Sequence, residues 1–120
     1  VCVVDVASTI AELVGQPTPS EDGVSFVDVL QGLPGLRTFA FAQNFQPLGI
    51  PFTPDPDQER AVIEQRWKLV RIGDTPASDA LYDLLADPCE DTNLLPPAPG
   101  SEAESAYQRL QSLLPSGSGG

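Results

Sequence analysis

Apolar positions recur with a helical period close to the start of the chain. Within residues 5–14 they would share one face of a helix, and they are Val6, Ile10, Leu13 and Val14. Gly15 followed by Pro17 is typical of a helix end, because glycine readily adopts the left-handed conformation found there. We therefore predict a helix over residues 5–14. The β-branched run Val1–Val4 before it has the composition of a buried strand.

The centre of the chain has the composition and alternation of strands. The second and third apolar segments are separated only by residues 64–66, which favours a hairpin. The strand-like segments are Arg37–Asn44, Arg60–Ile63, Trp67–Ile72 and Ala80–Leu84. Before them, Ser25 can cap a second short helix that ends at Gly32. The pattern therefore predicts one short helix followed by three or four strands.

Two more helix starts are present late in the chain. Asp87 is followed by a proline, and Glu90 stands where a capping box requires it, so a single helical turn is expected there. Ser101 and Glu104 form another capping box at the start of a longer helix, which Pro115 ends. The residues that share the apolar face of that helix are Ala103, Tyr107, Leu110 and Leu114.

These elements fit one small domain. A chain of 120 residues has the usual length of a single domain. The expected fold class is α+β, with a small antiparallel sheet of three to four strands packed with short helices and a C-terminal helix. The domain is expected to span residues 1–115, followed by a flexible tail over residues 116–120.

Charge and the absence of histidine exclude several classes of function. The chain has 6 Lys+Arg against 17 Asp+Glu, and its net charge of -11 repels nucleic acids and anionic membranes. Without histidine there is no Ser-His-Asp triad and no imidazole metal ligand in this chain. No apolar run approaches the roughly 18 residues that a membrane helix needs, so we expect a soluble chain that binds neither nucleic acid nor membrane.

One acidic run has the spacing of calcium ligands. Asp55, Asp57 and Glu59 alternate as in the opening of an EF-hand loop. Arg60 stands at the sixth position, where that loop needs glycine, and Arg66 at the twelfth, where it needs glutamate. A solvated acidic loop is therefore the preferred interpretation.

A second acidic cluster surrounds one of the two cysteines. Its members are Asp83, Asp87, Glu90 and Asp91. Helix capping already accounts for part of the cluster, which favours a structural role. Cys89 lies near a predicted helix start, a position that favours a reactive thiol, but the neighbouring carboxylates oppose that reactivity. A structural thiol is favoured, and a disulfide between Cys2 and Cys89 remains open.

Trp67 and Lys68 are the only residues of their kinds in the chain. With Arg66 and Arg71 nearby, they could stack a sugar or bind an acidic group. The alternative, which we favour for Trp67, is a sheet residue whose neighbours reach solvent.

Several motifs also follow one another in a specific order. The most specific is Leu81–Leu94, where Leu-Tyr-Asp-Leu is followed by Asp-Pro-x-Glu-x-x-Asn-Leu. The other motif-bearing segments are Val4–Gly15, Asp22–Gly32, Arg60–Val62 and Trp67–Val70. This order resembles the C-terminal region of the sulfatase family, within the alkaline-phosphatase-like superfamily. The chain departs from the family pattern at Ser8, which replaces Pro, at Trp67, which replaces Tyr, and at residues 64–65, which replace Asp-Gly.

The resemblance implies a non-catalytic role for this segment. The family hydrolyses sulfate esters with a formylglycine made within a Cys/Ser-x-Pro-Ser-Arg motif and with a divalent metal, calcium. That motif is absent here, since Pro19-Ser20 is followed by Glu21, so no catalytic, cofactor-binding or metal residue carries over. The implied partner is an upstream catalytic domain of the same polypeptide, in a periplasmic or secreted parent. The alternatives are a free-standing interaction module and the same region of a phosphodiesterase or phosphonate hydrolase.

Within such a parent, the segment would complete the core and line the substrate cleft. The apolar faces of residues 5–14 and 26–30 are expected to bury against the catalytic domain. The long loop from Asn44 to Glu59 is the best candidate for the rim of the cleft, because the segments on either side would position it. The residues proposed to contact a sulfated substrate at this rim are Asn44, Phe45, Phe52, Trp67 and Lys68.

Overall fold

The computed structural model describes residues 2–17, 23–44 and 58–114. The chain divides into two compact units, unit 1 (Val1–Ala40) and unit 2 (Phe41–Gly120). The helices are α1 (Asp5–Leu13), α2 (Val27–Leu30) and α3 (Glu102–Leu113), and a short 3₁₀ turn covers Pro76–Ser78. The strands are β1 (Phe39–Asn44), β2 (Glu59–Glu64), β3 (Trp67–Ile72) and β4 (Ala80–Asp83). The predicted α+β class is confirmed.

The start of unit 1 differs from the sequence prediction. Val3 and Val4 lie in a turn and are exposed, so the predicted buried strand is wrong for these residues, and Val1 lies outside the described part. The turn forms because the Asp5 carboxylate accepts a hydrogen bond from the Cys2 backbone N–H at 2.7 Å. The Asp5 N–H in turn donates to the Cys2 carbonyl at 3.0 Å. These bonds lead the chain into the first turn of α1. The helix ends at Leu13, one residue before its predicted end.

The four strands form one sheet in the order β1-β2-β3-β4. β2 pairs antiparallel with β3, and β3 with β4. Leu69 lies at the centre of this register, opposite Val62 on one side and Leu81 on the other. The hairpin predicted around residues 64–66 is therefore confirmed, with strands that start or end within one residue of the expected limits.

The apolar core of unit 2 lies between one face of this sheet and α3. Its buried members are Val62, Trp67, Leu69, Leu81, Ala106, Leu110 and Leu114. Full burial of a large aliphatic side chain contributes roughly 1.5–3 kcal/mol. Unit 2 thus has a closed apolar core formed by its own residues.

Helix α3 begins with most of the predicted capping box. The Ser101 hydroxyl accepts a hydrogen bond from the Glu104 N–H at 3.2 Å. The Glu104 carboxylate accepts from the Gly100 N–H at 2.6 Å, one residue before the N–H that a standard capping box uses. The Ser101 and Glu104 side chains therefore both accept hydrogen bonds from backbone N–H groups at the start of α3, as the sequence predicts.

Asp79 links α3 to the sheet. Its buried carboxylate accepts hydrogen bonds from Arg71 Nη2 at 2.7 Å, from the Tyr107 hydroxyl at 2.8 Å and from Gln111 Nε2 at 3.4 Å. Burial alone raises the pKa of Asp79, but the hydrogen bonds from Arg71 and Tyr107 outweigh burial and hold this pKa below its ordinary value. This polar cluster packs beside the apolar core and fixes the position of the helix.

The helical turn predicted at Asp87 is wrong. The Asp87 carboxylate accepts hydrogen bonds from the Asp91 N–H at 3.1 Å and the Thr92 N–H at 2.8 Å, which closes a non-helical turn. Glu90 has a φ of 59°, in the left-handed region. Because a helix cannot continue through that conformation, the capping signal is used by a turn.

Candidate functional site

The apolar face of α1 is exposed. We define the apolar stripe as Val3, in the turn before the helix, together with Val6, Ile10, Leu13 and Val14. These side chains are between 44% and 89% exposed. On the opposite side of the helix, Asp5, Ser8 and Thr9 are buried. Contiguous exposed apolar side chains mark interaction surfaces, so the stripe is a candidate functional site.

Asp5 organises the interior of unit 1. Its carboxylate accepts hydrogen bonds from the Val24 N–H at 3.0 Å and from Arg37 Nε at 2.9 Å, and Arg37 Nη2 lies closer still. The hydrogen bond from Arg37 is the main reason that the pKa of Asp5 lies well below its ordinary value, and it outweighs burial. One carboxylate thus joins α1 to two distant segments of the chain.

Thr9 adds a second polar link on the same face of α1. Its hydroxyl donates to the Asp5 carbonyl at 2.7 Å and accepts from the Phe26 N–H at 3.0 Å, just before α2. The neighbouring Ser8 hydroxyl is buried and makes no hydrogen bond. Gly23 lies so close to it that a β-carbon there would meet both Ser8 Oγ and the Val4 carbonyl. Unit 1 is therefore held together by polar groups and close backbone packing.

A small cleft lies beside this polar interior. Its cavity volume is about 60 Å³. The lining residues are Asp5, Val24, Ser25, Phe26, Val29, Gly35, Leu36 and Arg37. Asp5 and Arg37, the two charged residues that line the cleft, bind each other. The cleft therefore offers mainly apolar surface to an incoming group.

The sequence did not indicate the Asp5–Arg37 pair. The sequence pattern predicts a strand that starts at Arg37, whereas the structure begins β1 at Phe39 and uses the Arg37 side chain for the ion pair. The two residues are 32 positions apart, so no local pattern connects them. The available indication of such a pair was the small number of basic residues beside many acidic ones. A buried basic residue in such a chain is expected to have a carboxylate partner.

The proposed rim residues are only partly described. Asn44 is exposed at the end of β1, while Phe45 and Phe52 lie outside the described residues. Trp67 is buried in the core of unit 2, where the Arg66 guanidinium lies 4.6 Å from the centre of its ring. This cation–π contact and the burial agree with the favoured interpretation of Trp67 as a sheet residue.

Lys68 alternates with Trp67 along β3 and is half-buried on the other face of the sheet. Its ammonium group lies 2.7 Å from both carboxylate oxygens of Glu90. An anionic substrate at this position would therefore compete with Glu90 for the lysine.

Every basic residue of the chain has a carboxylate partner. All six lie within the described ranges, and they are Arg37, Arg60, Arg66, Lys68, Arg71 and Arg109. Their partners range from the buried Asp79 to the exposed Asp74. Since 17 acidic residues face these six cations, the remaining charge of the surface is negative.

The acidic cluster around Cys89 has structural roles. Asp83 binds Arg66 and accepts from the Leu85 and Ala86 N–H groups, and Glu90 pairs with Lys68. Cys89 and Cys2 are both free thiols in the structure, the former exposed and the latter partly buried.

The residues considered as a calcium site are mostly undescribed. Asp55 and Asp57 lie outside the described residues, and Glu59 is an exposed residue at the start of β2. Within residues 2–17, 23–44 and 58–114, no group of three or more acidic or cysteine side chains is placed to hold a metal ion. No helix in the same ranges is long and apolar enough to cross a membrane.

Solved structures with the same fold come from large hydrolytic enzymes. BT4656, solved in complex with its substrate D-glucosamine-2-N,6-O-disulfate, is 25% identical with a TM-score of 0.67, over 92% of this chain and 22% of that chain. The phosphonate monoester hydrolase SpPMH from Silicibacter pomeroyi is 25% identical with a TM-score of 0.62, and the match covers 91% of this chain and 23% of that chain. BT1596, a 2-O GAG sulfatase, is 21% identical with a TM-score of 0.62, and the match covers 90% of this chain and 23% of that chain.

The chain has the fold of the C-terminal portion of the alkaline-phosphatase-like superfamily. This sulfatase-like portion spans less than a quarter of the length of the solved structures it matches. Comparison with protein-family models and with curated proteins yields no match. The sulfatase-like resemblance deduced from the motifs is therefore confirmed by the three-dimensional fold.

Proposed function

We propose that this chain is the non-catalytic C-terminal subdomain of a sulfatase-like hydrolase. In the parent enzyme it completes the hydrophobic core and lines part of the substrate cleft. The observation that carries this proposal is the structural match, which takes in more than nine-tenths of this chain but less than a quarter of each neighbour. More than three-quarters of each of these neighbours has no counterpart in this chain.

The chemistry of the parent would reside outside this segment. Hydrolysis of a sulfate ester in this family uses a formylglycine and calcium. The sequence lacks histidine and the motif that is converted to formylglycine, and the described residues bring no metal-ligand group together. We therefore assign no step of the hydrolysis to this chain.

An assay of the parent and of the isolated chain tests this division of labour. The full polypeptide is expected to hydrolyse p-nitrophenyl sulfate in the presence of calcium, while the 120-residue chain alone is expected to release no p-nitrophenol. The parent without this segment should lose activity together with its thermal transition. Activity in the isolated chain, or full activity in the shortened parent, would contradict the proposal.

We assign the contribution to the cleft to the segment between β1 and β2, as the sequence predicts. Replacing Phe45 and Phe52 by alanine in the parent is expected to raise KM or change substrate preference, because aromatic side chains supply much of the contact area at a sugar-binding rim. Leu85→Ala, an exposed position between β4 and α3, is the control that should leave the kinetics unchanged. Unaltered KM values and substrate preference in the phenylalanine variants would refute the assignment of this segment to the cleft.

A second candidate reaction is hydrolysis of a phosphonate monoester. It is favoured by the similarity to SpPMH, which is as high in identity as the similarity to BT4656. Comparing kcat/KM of the parent for p-nitrophenyl sulfate and for p-nitrophenyl phenylphosphonate separates the two. A preference for the phosphonate ester would assign the parent to the second class and leave the subdomain role intact.

A further inference from the structure

We propose that residues 93–97, which we name the edge strap, block the outer edge of β4 against strand addition, and that a chain without this block pairs there with a second copy of itself. An edge strand presents unpaired backbone N–H and C=O groups, to which a strand of another chain can bind. The proposal concerns unit 2 alone and does not depend on the proposed function.

The edge strap occupies backbone groups on the outer side of β4. β4 is the last strand of the sheet, so one of its sides faces β3 and the other is an edge. Leu81 of β4 lies opposite Leu69 of β3. The Leu81 N–H donates to Asn93 Oδ1 at 3.0 Å, and the Leu81 carbonyl accepts from the Leu94 N–H at 2.9 Å. Both backbone polar groups of Leu81 therefore point to the edge, and the strap keeps an incoming strand from using them.

One side-chain oxygen holds the strap to the strand. Asn93 Oδ1 accepts a hydrogen bond from the Leu95 N–H at 3.0 Å as well as the bond from Leu81. Leu94 and Leu95 are partly buried and pack against the apolar core of unit 2, whereas Asn93 is exposed. Because the exposed Asn93 side chain adds no apolar burial, its contribution is to bind these two backbone donors.

The strap does not create a new edge in place of the one that it covers. The Leu94 N–H is bound to Leu81 and the Leu95 N–H to Asn93. Pro96 and Pro97 follow, and proline has no backbone N–H. Residues 94–97 therefore offer no backbone donor to an incoming strand. Proline at a sheet edge is one of the means by which native proteins avoid edge-to-edge pairing.

A second copy of this chain is the partner that an uncovered β4 would bind. In a solution of the pure chain every molecule carries the same edge, and two antiparallel edge strands satisfy each other about a two-fold axis. The net charge of -11 makes two copies repel each other. Pairing is therefore expected only when the strap is released, and salt should strengthen it by screening the repulsion.

Asn93→Ala in the 120-residue chain tests the strap, because it removes the oxygen that binds Leu81 and Leu95. In dilute solution the Leu81 amide is expected to exchange at least about tenfold faster than in the wild type. In high salt, at micromolar to millimolar concentrations, the variant is expected to sediment as a dimer or a larger species. The controls are Asn93→Asp, which keeps an acceptor oxygen, and Thr92→Ala, at the exposed neighbouring position; both should sediment as monomers, like the wild type.

The concentration dependence of exchange identifies the edge that pairs. The Leu81 amide of Asn93→Ala should regain protection as the species associates, and association without that protection would overturn the proposal. A folded Asn93→Ala chain that stays monomeric in high salt would also overturn it. So would unfolding of this variant, read from the fluorescence of the buried Trp67, because the strap would then support the core rather than guard the edge. Equal association of the wild type or Asn93→Asp would contradict the role of the strap, since both retain it.

Discussion

Replacing Asp79 by alanine removes the carboxylate that joins α3 to the sheet. The Asp79 side chain is completely buried, and that of its partner Arg71 is only 13% exposed. The variant therefore leaves a guanidinium group in a largely dry position, with the Tyr107 hydroxyl and the Gln111 amide also deprived of their acceptor. Solvent screening does little to compensate for a loss of this kind.

The expected loss of stability is large for a single substitution. Removing one partner of a buried ion pair costs about 3–5 kcal/mol. With a urea dependence of about 1.5 kcal/mol/M, the unfolding midpoint of unit 2 should fall by about 2–3 M. Tyr107→Phe removes a single hydrogen bond to the same carboxylate and should cost about 1 kcal/mol. Urea titrations followed by the fluorescence of Trp67, which lies in the core, measure both values.

A double variant distinguishes the lost pair from the lost volume. Arg71→Met with Asp79→Leu replaces both charges by apolar groups and should recover most of the stability, because no unpaired charge remains. An Asp79→Ala variant within about 0.5 kcal/mol of the wild type would refute the assignment of this cluster as a major link. Equal losses in the single and double variants would show that packing, and not charge pairing, determines the stability of this region.

The remaining predictions concern the polar interior of unit 1. Gly23→Ala should destabilise α1, because the new β-carbon would lie 2.6 Å from the Val4 carbonyl oxygen and closer still to Ser8 Oγ. Hydrogen exchange of the α1 amides measures this loss. Adding Ser8→Ala to Gly23→Ala should restore only part of the stability, since the contact with the Val4 backbone remains. Ser8→Ala alone should be neutral or stabilising by about 1 kcal/mol, because it removes a buried hydroxyl without a partner. The pKa of Asp5 is lowered in the folded chain, so its contribution is present above the ordinary aspartate value near pH 4 and is lost as the pH falls below it. In Asp5→Asn, α1 protection should be lower at neutral pH and nearly independent of pH in the acid range; a wild-type pH profile in this variant would show that another group is responsible.

Local patterns were sufficient to predict most elements of the fold. The limits of α1, the β2–β3 hairpin and the start of α3 follow from helical period, strand composition and capping residues, and the structure confirms them within one or two residues. The motif order also predicted the sulfatase-like fold that the solved structures share. These features depend on neighbours within a few positions, and such neighbours are visible in a linear sequence.

Tertiary structure decided how the same residues are used. The capping signal at Asp87 closes a turn because Glu90 adopts a left-handed backbone, where its side chain pairs with Lys68. The apolar period of α1 marked the correct face, but only the three-dimensional arrangement shows that this face is exposed while Asp5 is buried with Arg37. Ion pairs between residues tens of positions apart have no local signature. The sequence by itself therefore determined where most of the helices and strands form, and the packing of distant segments determined which surfaces remain exposed.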